Sequence, residues 1–228
     1  SDATFGGSIR GEADSDTVLL IHSDTVDTST TFVDSSPSGH AITVVGDTHH
    51  EEDQQKFGAT SLRFAGSSDA LQLPISTDWD FGTGDFTIDY WVRFSAFSQY
   101  QTFYDYGYVA SDGILLQTTS GSGGALRVYI GGGGSANYLS DSSTPVINTW
   151  YHYAVVRSSG TVTIYRDGVS VGSKTLAADI NSPTYAVPTI GAKAHTSPSE
   201  YELQGYMDEI RISKGVARWT SDFTPPSC

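Results

Sequence analysis

Cysteine is nearly missing from this chain: the 228 residues hold one, Cys228. An intramolecular disulfide is therefore impossible, and the fold must stand on its core. Basic residues are scarce too, with 12 Lys plus Arg against 26 Asp plus Glu and a formal charge of −14. So acidic a chain, without a basic block, argues against nucleic acid and against an anionic membrane surface. No apolar run approaches the roughly 20 residues of a membrane span, so membrane insertion is not expected. The opening Ser1-Asp2-Ala3-Thr4-Phe5-Gly6-Gly7-Ser8 has neither the basic nor the apolar segment of a signal peptide. Helical periodicity is absent from every window of 11 or more residues. Glutamate is also rare, 6 of the 26 acids against 20 Asp. Aspartate belongs to turns, caps and hard-cation sites, glutamate to helices. Two catalytic signatures are missing: the Gly-x-Ser-x-Gly nucleophile elbow, and the phosphate loop ending in Gly-Lys-Ser/Thr.

What is present is aromatic mass and short β-forming runs. The chain has 13 Tyr, 10 Phe and 4 Trp, enough for a substantial core. Residues 1–16 read as a polar arm or linker. From Thr17-Val18-Leu19-Leu20-Ile21-His22 onward, β-branched or aromatic runs alternate with Gly, Asp, Asn, Ser and Pro. Strands are predicted at 61–64, 70–73, 86–94, 102–109, 114–118, 126–130, 150–157, 161–166, 169–176, 189–191 and 204–212. Arg166-Asp167-Gly168-Val169 predicts a two-residue hairpin, because Asp-Gly supplies the positive-φ positions. Gly131–Gly134 reads as a flexible loop or a loose hairpin, and Lys214–Trp219 as one helical turn. The pattern is all-β, a sandwich or barrel rather than a βαβ sheet. It forms one domain over 17–228.

An ordered series of motifs then carries a resemblance. Leu19-Leu20-Ile21-His22-Ser23-Asp24 is followed by Lys56-Phe57-Gly58-Ala59-Thr60-Ser61-Leu62-Arg63-Phe64. Next come Gly84-Asp85-Phe86-Thr87-Ile88-Asp89-Tyr90-Trp91-Val92-Arg93 and Asn148-Thr149-Trp150-Tyr151-His152-Tyr153-Ala154-Val155-Val156-Arg157. Ile164-Tyr165-Arg166-Asp167-Gly168, Gly205-Tyr206-Met207-Asp208-Glu209-Ile210-Arg211-Ile212 and Ala217-Arg218-Trp219-Thr220 with Phe223-Thr224-Pro225-Pro226 complete it. This series resembles the laminin-G-like domains of the concanavalin A-like lectin/glucanase fold, which occur in many bacterial and phage proteins. The resemblance spans residues 17–226. It implies a jelly-roll β-sandwich of two curved antiparallel sheets. Within such a fold Trp91 and Trp150 are expected in the core, Asp85 at a turn, and Arg211 in an internal ion pair. Trp79, between Asp78 and Asp80, is open to either an exposed or a core-plugging position, and Trp219 is expected to pack at the C-terminal end.

Glucanases of this fold class place Glu-x-Asp-x-(x)-Glu on one strand, pointing both carboxylates into the cleft. Here Glu200-Tyr201-Glu202 lacks the Asp, and the adjacent Asp208 and Glu209 would face opposite ways. A non-enzymatic role is the expectation, with glycoside hydrolase the least favoured alternative. The resemblance also implies a structural calcium, held by Asp24 and Asp208 with carbonyls of the Ser38–His40 loop. Asp69 is a further candidate ligand. His49-His50-Glu51-Glu52-Asp53 reads as a solvated loop, since it lacks the i, i+4 histidine pair of zinc hydrolases.

Sugar recognition in sandwiches uses aromatic faces beside amides, carboxylates and hydroxyls. The stretch Tyr100–Tyr108 puts Tyr104, Tyr106 and Tyr108 on one strand face, with Phe103 and Asp105 on the other. Those three tyrosines fit a glycan platform and core filling equally. Asn137-Tyr138 offers a loop amide and ring at a sandwich edge. The expected function is a non-catalytic carbohydrate-binding or adhesion module, calcium-stabilised, at a cell surface or outside the cell. The alternative is a structural virion protein, such as a phage head, tail or fibre decoration, docked through residues 1–16 onto other subunits of a virion or adhesin.

Overall fold

The computed structural model describes residues 13–66, 68–97, 100–107, 112–119, 124–132, 137–181, 187–193 and 201–227. Among these the chain runs β1 (Thr17–Ile21), β2 (Thr43–Val45), β3 (His49–Glu51), β4 (Ser61–Ala65), β5 (Ala70–Gln72), β6 (Phe86–Phe94), β7 (Thr102–Tyr106) and β8 (Ile114–Thr118). It continues with β9 (Leu126–Ile130), β10 (Tyr138–Ser140), β11 (Trp150–Ser158), β12 (Thr161–Arg166), β13 (Val169–Thr175), β14 (Thr189–Ile190) and β15 (Gln204–Lys214). A single 3₁₀ turn, Thr77–Trp79, is capped by the Ser76 side chain, which accepts from the Asp78 N–H.

These strands form two antiparallel sheets in the manner of a jelly-roll sandwich. The first has the order β13-β12-β11-β6-β15-β4-β3, with β1 also paired to β15. The second has the order β10-β9-β8-β7-β14-β5-β2. Sequence neighbours such as β11, β12 and β13 pair as a meander, whereas β6 and β15 meet across more than a hundred residues. Only a compact sandwich brings such distant strands together.

The interior is one continuous cluster drawn from alternate residues of both sheets. Phe86, Ile88, Tyr90, Val92 and Phe94 point inward from β6, and Tyr90 stacks on Phe103 at 5.1 Å. Trp79 is fully buried and plugs this core, its indole donating to the Pro74 carbonyl at 2.9 Å. Asp167-Gly168 makes the expected hairpin between β12 and β13. Both residues have positive φ, 51° and 81°, and Arg166 pairs with Val169.

Several sequence expectations change. Trp91 is buried yet lies on the outward side of β6, opposite His152, with the Lys56 ammonium 4.0 Å from its ring. Trp150 pairs with Arg93 on that same outward side and is half-buried. Both tryptophans are therefore absent from the cluster between the sheets. The expected helical turn at 214–219 is the last residue of β15 followed by irregular chain with bends. Gly215 leaves β15 at φ 81°, and Ala217, Trp219 and Phe223 then pack on Ala154, Val156 and Tyr165 outside the first sheet. Burial of these apolar groups outweighs the weak helical preference of a short segment. His49 and His50, read as a solvated loop, are the buried start of β3. His50 stacks on Phe32 at 4.2 Å and bonds Ser23 Oγ at 2.6 Å, and burial lowers its pKa. The predicted arm 1–16 begins its tether early, because Asp14 accepts from Arg218 at 2.7 Å.

Candidate functional site

Directly opposed residues in an antiparallel ladder share one face. Across the second sheet, Leu139, Val128, Leu116, Tyr104, Ile190, Leu71 and Val44 form one such row. All are apolar or aromatic, and they face the core. The neighbouring row, Tyr138, Tyr129, Leu115, Asp105, Thr189 and Gln72, therefore faces outward. A second outward row is Ser140, Arg127, Gln117 and Thr102.

The β10 end of this face is a fixed cluster of rings and donors. Tyr129 and Tyr138 lie 5.4 Å apart, tilted by 54°. The Arg127 guanidinium sits 4.3 Å from the Tyr138 ring centroid, donates to the Tyr129 hydroxyl at 3.1 Å and to Ser140 Oγ at 2.9 Å. Lys174 of β13, in the other sheet, donates to the Tyr138 carbonyl at 3.0 Å and places its charge 5.7 Å from the same ring. Two cations against one tyrosine stiffen it through the ring quadrupole. Farther along the row, Gln117 Oε1 and Thr102 Oγ1 are buried without a hydrogen-bond partner among the described residues. The hydroxyls of Tyr90, Tyr104 and Tyr153 in the core are likewise buried without a partner among the described residues.

Of the tyrosines expected as a glycan platform, Tyr104 and Tyr106 turn inward. They are 2 % and 1 % exposed and belong to the core. A shift of register between Thr102 and Tyr104 opposite Gln117 and Leu116 sets this part of β7. Tyr106 donates to Asp80 at 2.8 Å, and burial pushes the Tyr104 hydroxyl well above the ordinary tyrosine range. Tyr108 lies outside the described residues. Asn137 donates to the Gly131 carbonyl at 3.0 Å, so its amide pins the strand entry. Tyr138 is in the cluster. Arg127, Tyr129 and Gln117 escaped the sequence reading, although Leu126-Arg127-Val128-Tyr129-Ile130 alternates plainly enough to place both polar residues outward.

The carboxylates expected to hold calcium accept hydrogen bonds from backbone donors. Asp208 accepts from the N–H groups of Phe57 at 3.0 Å, Lys56 at 3.2 Å and Glu209 at 2.9 Å. Asp24 accepts from Ala59 at 3.0 Å, so both carboxylates hold the 56–59 loop. Asp69 accepts from Asp47 at 2.7 Å and Ala65 at 2.6 Å. Ser38 and His40 bond Asp78, and the His40 N–H bonds Asp34. Among the described residues no three metal-ligating side chains cluster. Of the carboxylates weighed for catalysis, Glu209 bonds His22 at 2.9 Å and Glu202 accepts from the Ser68 N–H. Glu200 lies outside the described residues. Among those residues no helix is long and apolar enough to cross a membrane.

The fold is shared with several solved domains. Domain 4 of AbnA, an extracellular GH43 arabinanase from Geobacillus stearothermophilus, solved with arabinotriose, is 19 % identical with a TM-score of 0.65, covering 88 % of this chain and 93 % of that one. The binding domain of Paraclostridial Mosquitocidal Protein 1 is 14 % identical with a TM-score of 0.65, over 88 % and 49 %. The binding domain of Botulinum Neurotoxin DC, solved with SialylT, is 11 % identical with a TM-score of 0.62, over 88 % and 48 %. The match thus spans about half of each toxin domain. Curated protein sequences include no match. A laminin-G family model, described as Concanavalin A-like lectin/glucanases superfamily, matches residues 65–220, and the chain belongs to that superfamily.

Proposed function

We propose that this chain is a non-catalytic glycan-binding module acting outside the cell or at a surface. The observation that carries the reading is the Tyr138–Tyr129–Arg127 cluster on the outward face of the second sheet. Tyrosine faces pack against the C–H faces of a sugar, and fixed guanidinium donors meet its hydroxyls. The solved relatives support the reading: one was captured with arabinotriose and another with SialylT. The absence of paired carboxylates from the sequence supports the non-catalytic part.

The test is a glycan array followed by calorimetry on the best hit. Tyr138→Ala and Arg127→Gln are expected to weaken binding at least about tenfold, the effect of roughly 1–2 kcal/mol, with melting temperature nearly unchanged. A blank array, or binding indifferent to both changes, overturns the proposal. A virion role is the second reading. Loss of assembly with intact glycan binding, after removal of residues 1–12, would support it.

A further inference from the structure

The arginines of this protein are mostly committed. Arg166 bonds Asp141 at 3.2 Å, Arg211 bonds Asp89 at 2.9 Å and Arg218 bonds Asp14 at 2.7 Å. Arg157, fully buried, gives its guanidinium to carbonyls of Gly84, Gly82 and Ala178. Arg93 stands apart. Among the described residues it has no ion pair and no hydrogen bond from its side chain, in a chain carrying 26 acidic residues. Its one side-chain interaction is a stack, the guanidinium lying 5.7 Å from the Tyr206 ring centroid.

Register explains the company it keeps. Tyr206 of β15 is directly opposed to Arg93 on β6 and to Arg63 on β4. Arg93 is opposed in turn to Trp150 of β11. The order Trp150–Arg93–Tyr206–Arg63 is therefore a ladder of alternating rings and guanidinium groups across the outward face of the first sheet. At about 4.8 Å per strand, the two arginine backbones stand roughly 10 Å apart with the tyrosine between them. All four side chains are half-buried, so they are both held and reachable. Arg63 has one weak partner, Glu51, at 3.8 Å, and keeps about a third of its side chain in solvent.

Beside the ladder lies an open groove of about 350 Å³, bordered by Arg63, Tyr206, Gln204 and Ser95. Its floor passes Gly205, where a Cβ would come within 2.2 Å of the Arg93 carbonyl oxygen. Glycine is needed there because the two backbones approach too closely for any side chain.

We infer that this ladder and groove form a second saccharide site, distinct from the Tyr138 cluster, that takes a carboxylate-bearing sugar. The Tyr206 and Trp150 rings supply apolar faces for the pyranose. Arg93 and Arg63 supply the planar donors that match a carboxylate, a pairing stronger than one between neutral groups. A half-buried arginine laid on a tyrosine, with no ion pair among the described residues, keeps its planar donors available to a ligand. An anionic ligand gives it the missing partner. The site belongs to the opposite sheet from the Tyr138 cluster, so the two stand or fall separately.

The experiment is calorimetry on the whole chain with trigalacturonate, a hyaluronan tetrasaccharide and 3′-sialyllactose. Fully methyl-esterified trigalacturonate keeps the rings and removes the charge. At least one acidic probe is expected to bind, weakening at least about tenfold in Arg93→Gln and in Tyr206→Ala. Binding should also weaken as salt rises, and the ester should not bind if trigalacturonate does. Arg127→Gln should leave the acidic probe unaffected. Circular dichroism melting confirms that each variant is folded, and Arg93→Lys, which keeps charge without the fork, should recover part of the loss. The inference is overturned if none of the three acidic probes binds, if ester and acid bind alike, or if Arg127→Gln abolishes binding while Arg93→Gln does not.

Discussion

Arg211 on β15 grips both carboxylate oxygens of Asp89 on β6, Nε at 2.9 Å and Nη2 at 3.0 Å. The pair is buried on the outside of the first sheet. Trp219, whose ring is 5.6 Å from the guanidinium, lies over it and stacks on Phe223 at 4.0 Å. Burial raises the Asp89 carboxyl, but Arg211 and the neighbouring His152 together outweigh it and the net shift is downward. The sequence expectation of an internal partner for Arg211 is met here.

Breaking that pair from one side leaves a buried charge alone. Arg211→Met and Asp89→Asn should each cost about 3–5 kcal/mol in urea denaturation, whereas the Asp89→Leu/Arg211→Met double variant should recover much of it. Equal and additive losses would mean that the pair acts only through packing. Because Asp89 titrates below its unfolded value, its contribution is present above about pH 4 and fades as pH falls further.

Asp208 has the opposite dependence. Burial pushes its carboxyl up to about 7 despite three N–H donors. The folded state then holds the proton more tightly than the unfolded chain, so stability from this group is full below about pH 4 and is lost as pH rises towards 7. Asp208→Asn should flatten that part of the urea-midpoint profile between about pH 4 and pH 8. Calcium at Asp208 would reverse the slope and raise the melting temperature. Melting with calcium and with chelator should give equal values if backbone donors alone occupy the carboxylate.

The two inward tyrosines separate core from site. Tyr106→Phe loses the bond to Asp80 and should cost about 1 kcal/mol. Tyr104→Phe removes a buried hydroxyl with no partner among the described residues and should be neutral or stabilising. Neither change should alter glycan affinity. A large binding loss with unchanged stability would return them to the site.

The hairpin at Asp167-Gly168 also anchors the C-terminal segment. Phe223 N–H donates to the Gly168 carbonyl at 2.9 Å, and a Cβ on Gly168 would meet the Phe223 carbonyl oxygen at 1.8 Å. Gly168→Ala should cost at least about 2 kcal/mol, from strain at φ 81° together with displacement of the segment. Chemical denaturation measures the cost. Increased Trp219 exposure in fluorescence quenching shows the release.

Local pattern was legible wherever it depended on near neighbours. The alternation in Phe86–Phe94, Ile114–Thr118, Leu126–Ile130 and Thr161–Arg166 marked those strands to the residue, and Asp167-Gly168 marked its hairpin. The ordered motifs placed the chain in its superfamily. Short strands such as β2 and β3 escaped, because three residues hold too little pattern. Which side of a strand meets the core was a tertiary matter. Tyr104 and Tyr106 went inward, while Trp91 and Trp150 went outward, because each face is chosen by what the opposite sheet or a crossing segment can bury. The polar assignments followed the same rule. The excess of Asp over Glu did announce a loop-rich β protein, but only the fold showed Asp24, Asp69 and Asp208 bound to backbone N–H groups. Likewise Arg63, Tyr206 and Arg93 are scattered in sequence, and it is strand register that sets them side by side.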